Sequence, residues 1–295
     1  MSVKLVNGQP LPHPVMRLVK GVALTVCCLL VVLPFLGILT TSLATTQQVN
    51  DHGGFVFFPS SITFETYRTI LSGGVVTQAI GVSVFVAAAG TAISLLVSTL
   101  LAYALSRPTM VGRSVILKLL VASLLFTPGM IPLYLTVKQI GLLDSVWSLI
   151  IPTAINAFNV VVLRAFFMNI PSELIESAKI DGAGEWMVFR KIVLPLSRAV
   201  IAVIGLFYAV TYWNAFFNAL LYINDPAKWP LPLVLRTYVI NNTQLGNGQL
   251  NADQLPSQPA LQMAILVISI VPILIAYPFL QRHFKKGVLT GAVKG

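Results

Sequence analysis

Long stretches without a charged side chain constrain this chain more than any other feature of its sequence. Six windows of at least 19 residues contain no Asp, Glu, Lys or Arg. Because about 20 apolar residues cross the hydrocarbon core of a bilayer, this pattern predicts a membrane protein and disfavours two soluble domains. The hydrophobic share of 56% and the mean hydropathy of +0.86 agree with that prediction. The windows are 21–50, 69–106, 119–137, 145–163, 199–224 and 254–281.

The windows predict an all-α, polytopic fold in which residues 19–295 form a transmembrane domain of six helices. The first apolar run is longer than the roughly 7–15 residues of a signal-peptide core, so we expect it to be retained as a span. Pro34 is expected to kink that span without breaking it. Pro128, Gly129 and Pro132 are expected to interrupt the third span. The predicted spans are near 19–43, 79–105, 115–137, 145–168, 199–223 and 260–281.

The placement of Lys and Arg predicts which ends of the spans face the cytoplasm. Loops rich in these residues stay in the cytoplasm, so both termini, including residues 1–18, are predicted to be cytoplasmic. The same placement accounts for a net charge of +10 without nucleic acid as a partner. We therefore expect a multi-pass protein of the cytoplasmic membrane. Of the 19 basic residues, those assigned to the outside are Arg68, Lys138, Lys228 and Arg236.

A charged segment lies between the fourth and fifth predicted spans. This 171–196 loop has the sequence PSELIESAKIDGAGEWMVFRKIVLPL, with four acidic and three basic residues. Pro171 suits the first turn of a helix, and Gly182 can adopt a positive φ and end that helix. A second helix would be stopped by Pro195. The apolar stripe of this second helix would consist of Trp186, Phe189, Ile192 and Val193.

The 171–196 loop resembles the Glu-Ala-Ala loop of the inner-membrane permease subunits of bacterial ATP-binding cassette (ABC) importers. The family pattern is Glu-Ala-Ala, two residues, Asp-Gly-Ala and, further on, Ile-x-Leu-Pro. The Asp-Gly-Ala form is similar to the carbohydrate-uptake branch, which includes the maltose permease subunits and the oligosaccharide-type sugar permeases. An ordinary amphipathic cytosolic loop is the alternative. The matching residues are Glu176-Ser177-Ala178, Asp181-Gly182-Ala183 and Ile192-Val193-Leu194-Pro195, with Ser177 as the one departure.

The resemblance implies a type I importer fold, a mechanism and a set of partners. In this family the loop is a coupling helix that docks in a groove of an ATPase subunit. The implied partners are a second homologous permease subunit, two ATPase subunits and an extracytoplasmic solute-binding protein. The chain itself is implied to bind no cofactor, with ATP and Mg held by the ATPase subunits. The implied coupling residues are Glu176, Ser177, Ala178, Asp181, Gly182, Ala183, Trp186, Phe189 and Pro195.

Polar and aromatic side chains in the fourth and fifth predicted spans suit a sugar. Aromatic faces stack on sugar rings, and amides and hydroxyls bond to sugar hydroxyls. All nine Asp and Glu lie outside the predicted spans, which disfavours a proton or sodium relay and favours a neutral solute. The alternative is that these polar side chains join helices to one another. The candidate pathway residues are Tyr208, Thr211, Tyr212, Asn214, Asn218, Asn156 and Asn159.

The sequence lacks the motifs of an enzyme. It contains no phosphate-binding Gly-x-x-x-x-Gly-Lys-Ser/Thr motif and no His/Cys/Glu cluster that predicts a metal site. We therefore expect a transport subunit for a sugar, of oligosaccharide or glycoside type. The alternatives are an ABC permease for an amino acid or phosphate, an ion-coupled secondary carrier and a membrane-embedded enzyme. The polar segment 224–259 would either meet the solute-binding protein or serve as a solvated connector.

Overall fold

The structure is a computed structural model that describes residues 5–6, 9–10, 14–72, 74–126, 128–240 and 256–291. The described residues are mostly helical, and strand pairing in them is limited to Leu5–Val6 with Gln9–Pro10 and to one bridge between Ala44 and Ile62. The α-helices are α1 (Pro14–Ser42), α2 (Thr46–Asp51), α3 (Glu65–Leu71), α4 (Val75–Ser106), α5 (Arg113–Leu125), α6 (Met130–Gln139), α7 (Ala157–Met168), α8 (Ser172–Ile180), α9 (Glu185–Val188), α10 (Leu194–Leu196), α11 (Arg198–Trp213), α12 (Phe216–Tyr222), α13 (Leu231–Ile240) and α14 (Gln258–Gly291).

Three helical segments of the described chain are long and apolar enough to cross a membrane alone: Val15–Ser42, Val75–Ser106 and Gln258–Ile275. Two bent helix pairs raise the number to as many as 5. The first pair joins Val146–Thr153 to Ala157–Met168 at 48°, and the second joins Glu185–Leu196 to Arg198–Trp213 at 82°.

The third predicted span is divided between α5 and α6. Their lengths of 13 and 10 residues are each too short to cross the bilayer alone. The break falls where Pro128 and Gly129 were expected to interrupt the helix. Pro132 was expected to contribute to this break, but it lies in the first turn of α6, where a missing N–H leaves no intrahelical hydrogen bond unmade.

The chain divides into two compact units, of which the first comprises residues 1–69 and 246–267. A small core of Ala44, Val49, Val56 and Ala260 forms within it. The hydroxyl of Thr41 accepts a hydrogen bond from the Val56 N–H at 2.9 Å and so ties the end of α1 to the next extended segment. Pro34 lies inside α1, as predicted. Most of the side chains of α1 are exposed and apolar, which suits lipid contact.

The second unit, residues 70–245 and 268–295, is organised around α4. One face of α4 carries small residues at every fourth position, Gly90, Ser94, Ser98 and Ala102, and all four are buried. Small residues let helix backbones approach closely within a membrane. A Cβ atom on Gly90 would lie only 2.8 Å from ring atoms of Tyr212 on α11. The stripe is therefore the contact surface for α11.

Two hydrogen bonds of the same kind hold α4 and α11 together. The hydroxyls of Ser94 and Tyr212 are 2.6 Å apart, and those of Ser98 and Tyr208 are also 2.6 Å apart. Both pairs are buried, so each hydroxyl satisfies a group that would be costly to leave unpaired. Ser94, Ser98, Tyr208 and Tyr212 are called the α4–α11 seam below.

Hydrogen bonds join both ends of α4 to neighbouring elements. Near its beginning, the Ser83 hydroxyl accepts from the Leu231 N–H at 2.7 Å and caps the start of α13. At its end, the Leu105 carbonyl accepts from Nε of Arg113 and from Nε of Arg164, each at 3.0 Å. Arginines suit this position because the last carbonyls of a helix carry a partial negative charge. Residues 241–255 of the predicted polar connector 224–259 lie outside the described residues.

Candidate functional site

The first arm of the 171–196 loop is α8, which follows Pro171 directly. It ends in a hydrogen-bonded cap, in which the Ala183 N–H donates to the Ala178 carbonyl at 2.9 Å and the Gly182 N–H to the Lys179 carbonyl at 3.0 Å. This pair of bonds defines a Schellman motif. Gly182 has φ of 83°, as predicted for a left-handed cap. The chain therefore reverses here through a defined turn.

Only a narrow face of α8 packs against the rest of the second unit. Ile175 is buried and Ala178 is partly buried against the core. Glu176, Ser177 and Asp181, three of the predicted coupling residues, are exposed. Ile180 beside them is 86% exposed, which is unusual for a large apolar side chain in a charged segment. The outer face of α8 is therefore free of contacts within the described chain.

The second arm is continuous from Glu185 to Leu196 and contains a π-type turn over Phe189–Val193. The prediction that Pro195 stops this helix is wrong. The Leu194 N–H donates to the Phe189 carbonyl five residues back, and this wider turn makes room for the ring of Pro195 one residue later. The helix direction changes instead at Ser197, by 82°.

The predicted apolar stripe of the second arm is only partly buried. Phe189 and Val193 are buried, together with Val188, which the prediction did not include. Trp186 is 64% exposed and contacts the Phe189 ring at a centroid distance of 5.5 Å. The stripe could have packed against the chain's own helices or against a partner, and the exposure of Trp186 leaves that side chain free for a partner.

Glu185, at the start of the second arm, binds side chains from two other helices. Its Oε1 accepts from Lys179 Nζ of α8 at 2.6 Å, and its Oε2 accepts from the Tyr103 hydroxyl of α4 at 2.6 Å. The same hydroxyl lies 3.0 Å from the Glu185 backbone oxygen. The bonds from Lys179 and Tyr103 hold the pKa of Glu185 below its ordinary value. Glu185, Lys179, Tyr103 and Arg107 are called the Glu185 cluster below.

Arg107 completes this cluster through a ring contact and an ion pair. Its guanidinium carbon lies 4.5 Å from the centroid of the Tyr103 ring, and its Nε lies 3.7 Å from Glu185 Oε2. Nε and Nη2 of Arg107 are buried and have no hydrogen-bond partner in the described chain. Buried guanidinium donors are costly to leave unpaired, so this position demands a physical explanation.

The second candidate site is a cavity of about 190 Å³ beside the break between α11 and α12, called the α11 cavity below. Four predicted pathway residues line it: Thr211, Tyr212, Asn214 and Asn218. Asn214 donates to the Val210 carbonyl at 2.9 Å, which leaves its amide oxygen available. The remaining lining residues are Leu149, Thr153, Ala215 and Phe217, so no charged group lines the cavity.

The other predicted pathway residues lie outside this lining and have structural partners. Tyr208 belongs to the α4–α11 seam and also accepts from the Asn156 N–H at 3.1 Å. Asn156 caps α7 by accepting from the Asn159 N–H at 3.1 Å, and Asn159 itself is 5% exposed. These three residues fit the alternative interpretation, in which polar side chains join helices. Thr153 is a lining residue that the sequence analysis missed.

A second carboxylate-centred cluster joins the segments before the fourth and after the fifth predicted span. Asp144 Oδ1 accepts from the backbone N–H of Asp225 at 3.0 Å and of Asn224 at 3.1 Å. Lys228 Nζ donates to the Asp144 backbone oxygen at 2.9 Å and lies 3.4 Å from Asp225 Oδ2. The backbone N–H of Asp225 is the main group that lowers the pKa of Asp144. Asp144, Asn224, Asp225 and Lys228 are called the Asp144 cluster below.

Comparison with known proteins gives a consistent set of relatives. The family described as "Binding-protein-dependent transport system inner membrane component" matches residues 79–290. The chain is 48% identical over 269 residues to the polygalacturonan/rhamnogalacturonan transport system permease protein YtcP of Bacillus subtilis (strain 168), covering 90% of this chain and 94% of that protein. It is 46% identical over 265 residues to protein LplC of the same organism, covering 90% of each.

A solved structure has the same fold over nearly the whole chain. It is that of a bacterial ABC transporter involved in the import of the acidic polysaccharide alginate. The superposition has a TM-score of 0.84 at 29% sequence identity and covers 94% of this chain and 100% of the other. The all-α fold with membrane-crossing helices is therefore that of an ABC importer permease.

Proposed function

The chain belongs to the family of binding-protein-dependent transport system inner membrane components, and from this premise we propose that it is the permease subunit of an ATP-driven importer of an oligosaccharide. A permease of this family is embedded in a membrane and moves a solute rather than transforming it. The observation that carries the proposal is the 48% identity to YtcP over 94% of that protein. It is also supported by the exposed outer face of the 171–196 loop, which is available to a partner protein.

The proposed solute is an oligosaccharide of the kind named for one relative, YtcP, a fragment of polygalacturonan or rhamnogalacturonan. Such fragments carry carboxylates, so this proposal departs from the neutral solute that the uncharged spans favoured. The α11 cavity supports this proposal because it combines Thr and Asn side chains with the aromatic ring of Tyr212. Its volume of about 190 Å³ is smaller than the roughly 300–1,000 Å³ of sites that enclose a whole drug-sized ligand. We therefore propose that it holds only part of the oligosaccharide at a time.

The 171–196 loop is the proposed contact with the ATPase. Its outer face presents Glu176 and Ser177 beside the apolar side chains of Ile180 and Trp186. A groove on another protein would cover these apolar groups and pair with the carboxylate of Glu176. Gly182, with its left-handed φ, fixes the angle between the two arms. Ala183 and Phe189 support the turn from within the second unit.

The remaining partners follow from the family. We propose a complex of this chain with a second homologous permease subunit, two ATPase subunits and an extracytoplasmic solute-binding protein. ATP and Mg would be bound by the ATPase subunits, because this chain has no phosphate-binding motif. The distribution of Lys and Arg supports a cytoplasmic membrane location with both termini and the 171–196 loop in the cytoplasm.

Transport by the assembled complex tests this function. The chain is produced together with candidate permease, ATPase and binding-protein subunits, and uptake of labelled solutes into proteoliposomes is measured with and without ATP. We expect ATP-dependent uptake of galacturonate-containing oligosaccharides. Uptake of amino acids or phosphate in their place, or uptake by this chain alone under an ion gradient, would contradict the proposal.

A matched pair of glycine variants tests the loop. Gly182→Ala places a Cβ at φ of 83°, at a cost of roughly 1–2 kcal/mol, whereas Gly184 has φ of −73° and accepts alanine without strain. We expect Gly182→Ala to lower uptake while Gly184→Ala behaves as wild type. Glu176→Lys should weaken ATPase binding, measured by co-purification. Equal uptake in all three variants would remove the loop from the mechanism.

A further inference from the structure

The Glu185 cluster connects three elements that the chain itself connects only loosely. Glu185 belongs to the second arm of the 171–196 loop, Lys179 to α8, and Tyr103 to the end of α4, 82 residues away in sequence. The Tyr103 hydroxyl is the only group in the described chain that bonds to both the side chain and the backbone of Glu185. The loop is therefore fastened to α4 by side chains as well as to α11 by the backbone.

The backbone connection between the second arm and α11 would by itself transmit little of the loop's movement to α11. The second arm meets α11 at an angle of 82°, and the hinge residue Ser197 has a buried hydroxyl without a hydrogen-bond partner in the described residues. A bend of this size lets the loop rotate while α11 stays in place. The bond from Tyr103 to Glu185 adds a polar attachment to α4 beside the contact between the Tyr103 and Phe189 rings, whose centroids are 4.8 Å apart. These attachments restrict that rotation.

The α4 attachment leads directly to the α11 cavity. From Tyr103, α4 continues back to Ser98 and Ser94, and nine residues of helix cover about 14 Å. Ser94 bonds to Tyr212, which lines the cavity. The loop, α4, the seam and the cavity wall thus form one series of contacts, which is part-buried at Glu185 and buried along the seam. Packed helices with buried hydrogen bonds move as rigid bodies, so displacement at one end reaches the other.

Arg107 explains how this attachment can persist while the loop moves. Its Nε lies 3.7 Å from Glu185 Oε2, and Nε and Nη2 have no other acceptor among the described residues. A guanidinium and a carboxylate bond at about 2.7–2.9 Å, so a shift of about 1 Å would bring them together. Tyr103 lies in the last turn of α4 and Arg107 is the residue that caps it, and both can serve the same carboxylate in succession.

We propose that Glu185 latches the 171–196 loop to α4 and exchanges Tyr103 for Arg107 as its partner during the transport cycle. In the state described here Tyr103 and Lys179 hold the carboxylate, and in the displaced state Arg107 holds it. α4 and the α4–α11 seam then follow the loop, and the α11 cavity changes with them. Glu185, Tyr103 and Arg107 are positioning residues, since none of them touches the cavity. This inference rests on the proposed function.

The first test separates transport from ATP hydrolysis in the complete complex. Tyr103→Phe removes the hydroxyl but keeps the ring that contacts Phe189 and Arg107. We expect the number of ATP molecules hydrolysed per sugar imported to rise about tenfold, because a hydrogen bond to a charged group contributes at least that factor. The matched control is Tyr134→Phe, in α6, whose ring stacks on Tyr222 instead.

The second test addresses the exchange of partners through basal ATP hydrolysis, without binding protein or sugar. Tyr103→Phe favours the Arg107-bound state and should raise the basal rate. Arg107→Gln favours the Tyr103-bound state and should lower it. Co-purification with the ATPase confirms that each variant assembles. Changes of the same sign in both variants would overturn the exchange.

Two failures remain distinguishable. A wild-type complex that imports no sugar with ATP would contradict the proposed function. A wild-type complex that imports sugar, with an unchanged ratio of ATP to sugar in both Tyr103→Phe and Glu185→Gln, would overturn the latch alone.

Discussion

Two carboxylate-centred clusters, around Asp144 and around Glu185, differ in what donates to the carboxylate. Asp144 accepts from two backbone N–H groups, and Lys228 bonds to its backbone oxygen. Glu185 accepts only from the side chains of Lys179 and Tyr103, with Arg107 close by. Backbone donors are fixed by the fold, whereas side-chain donors can rotate away. We infer that the Asp144 cluster holds one geometry and that the Glu185 cluster can change partners.

The backbone of Asp144 supports this distinction. Its φ is 57°, which makes it the only non-glycine residue of the described chain with a positive φ. Asp tolerates this conformation better than most residues, though still at a cost, and the two backbone N–H groups and Lys228 hold it there. No comparable backbone constraint exists at Glu185, which begins an ordinary helical turn.

The largest effect is expected at Asp144. Asp144→Ala removes the acceptor of two backbone N–H groups and places a non-polar residue at a positive φ. We expect less assembled complex and a lower melting temperature, with an unchanged ratio of ATP to sugar in the complex that remains. Asp144→Asn is the control, since it keeps both the oxygen and the tolerance for positive φ. An Asp144→Ala complex with a normal melting temperature and an altered ratio of ATP to sugar would contradict the distinction between the two clusters.

Two lysines of similar exposure give a closer comparison. Lys228 is 40% exposed and Lys179 is 48% exposed, and each pairs with the carboxylate of its cluster. Lys228→Gln should lower the melting temperature, because the hydrogen bond to the Asp144 backbone is lost. Lys179→Gln should leave the melting temperature nearly unchanged and raise the ratio of ATP to sugar by about twofold, since an exposed ion pair contributes about 0–1 kcal/mol. A lower melting temperature in Lys179→Gln, together with a raised ratio of ATP to sugar in Lys228→Gln, would contradict the account.

The smallest effect concerns pH. The pKa values of Asp144 and Glu185 are both lowered in the folded chain. The stability that each carboxylate contributes is therefore complete above its ordinary pKa of about 4 and is lost as pH falls through the lower folded value. We expect the ratio of ATP to sugar to stay constant between about pH 6 and 8. A titration of coupling with a midpoint in that interval would point to a group other than Glu185.

Local features of this chain were predictable because their causes are local. The break around Pro128 and Gly129 and the left-handed cap at Gly182 follow from the backbone limits of proline and glycine. Pro195 was predicted to end a helix and does not, because a π-type turn before it relieves the clash. Such turns have no clear signal in a single sequence.

The partners of polar side chains were less predictable. The sequence placed Tyr208 and Tyr212 among the candidate pathway residues, but whether they meet solute or another helix depends on Ser94 and Ser98, more than a hundred residues away. For the same reason, the Glu185 cluster was not predicted. Lys179 is close to Glu185 in sequence, whereas Tyr103 and Arg107 come from a different helix, and single-sequence reasoning does not reveal such pairings.

A distance measurement tests most directly whether the 171–196 loop and the end of α4 move together. Spin labels are placed at Ser172, the exposed first residue of α8, and at Val111, which is 94% exposed just beyond α4. Their separation is measured in the complete complex, both without nucleotide and with ATP trapped. The account predicts that the wild-type distance changes by no more than about 1 Å, the shift that exchanges Tyr103 for Arg107, and that a larger change appears only in Tyr103→Phe. A larger change on ATP binding in a transport-active wild type would contradict it.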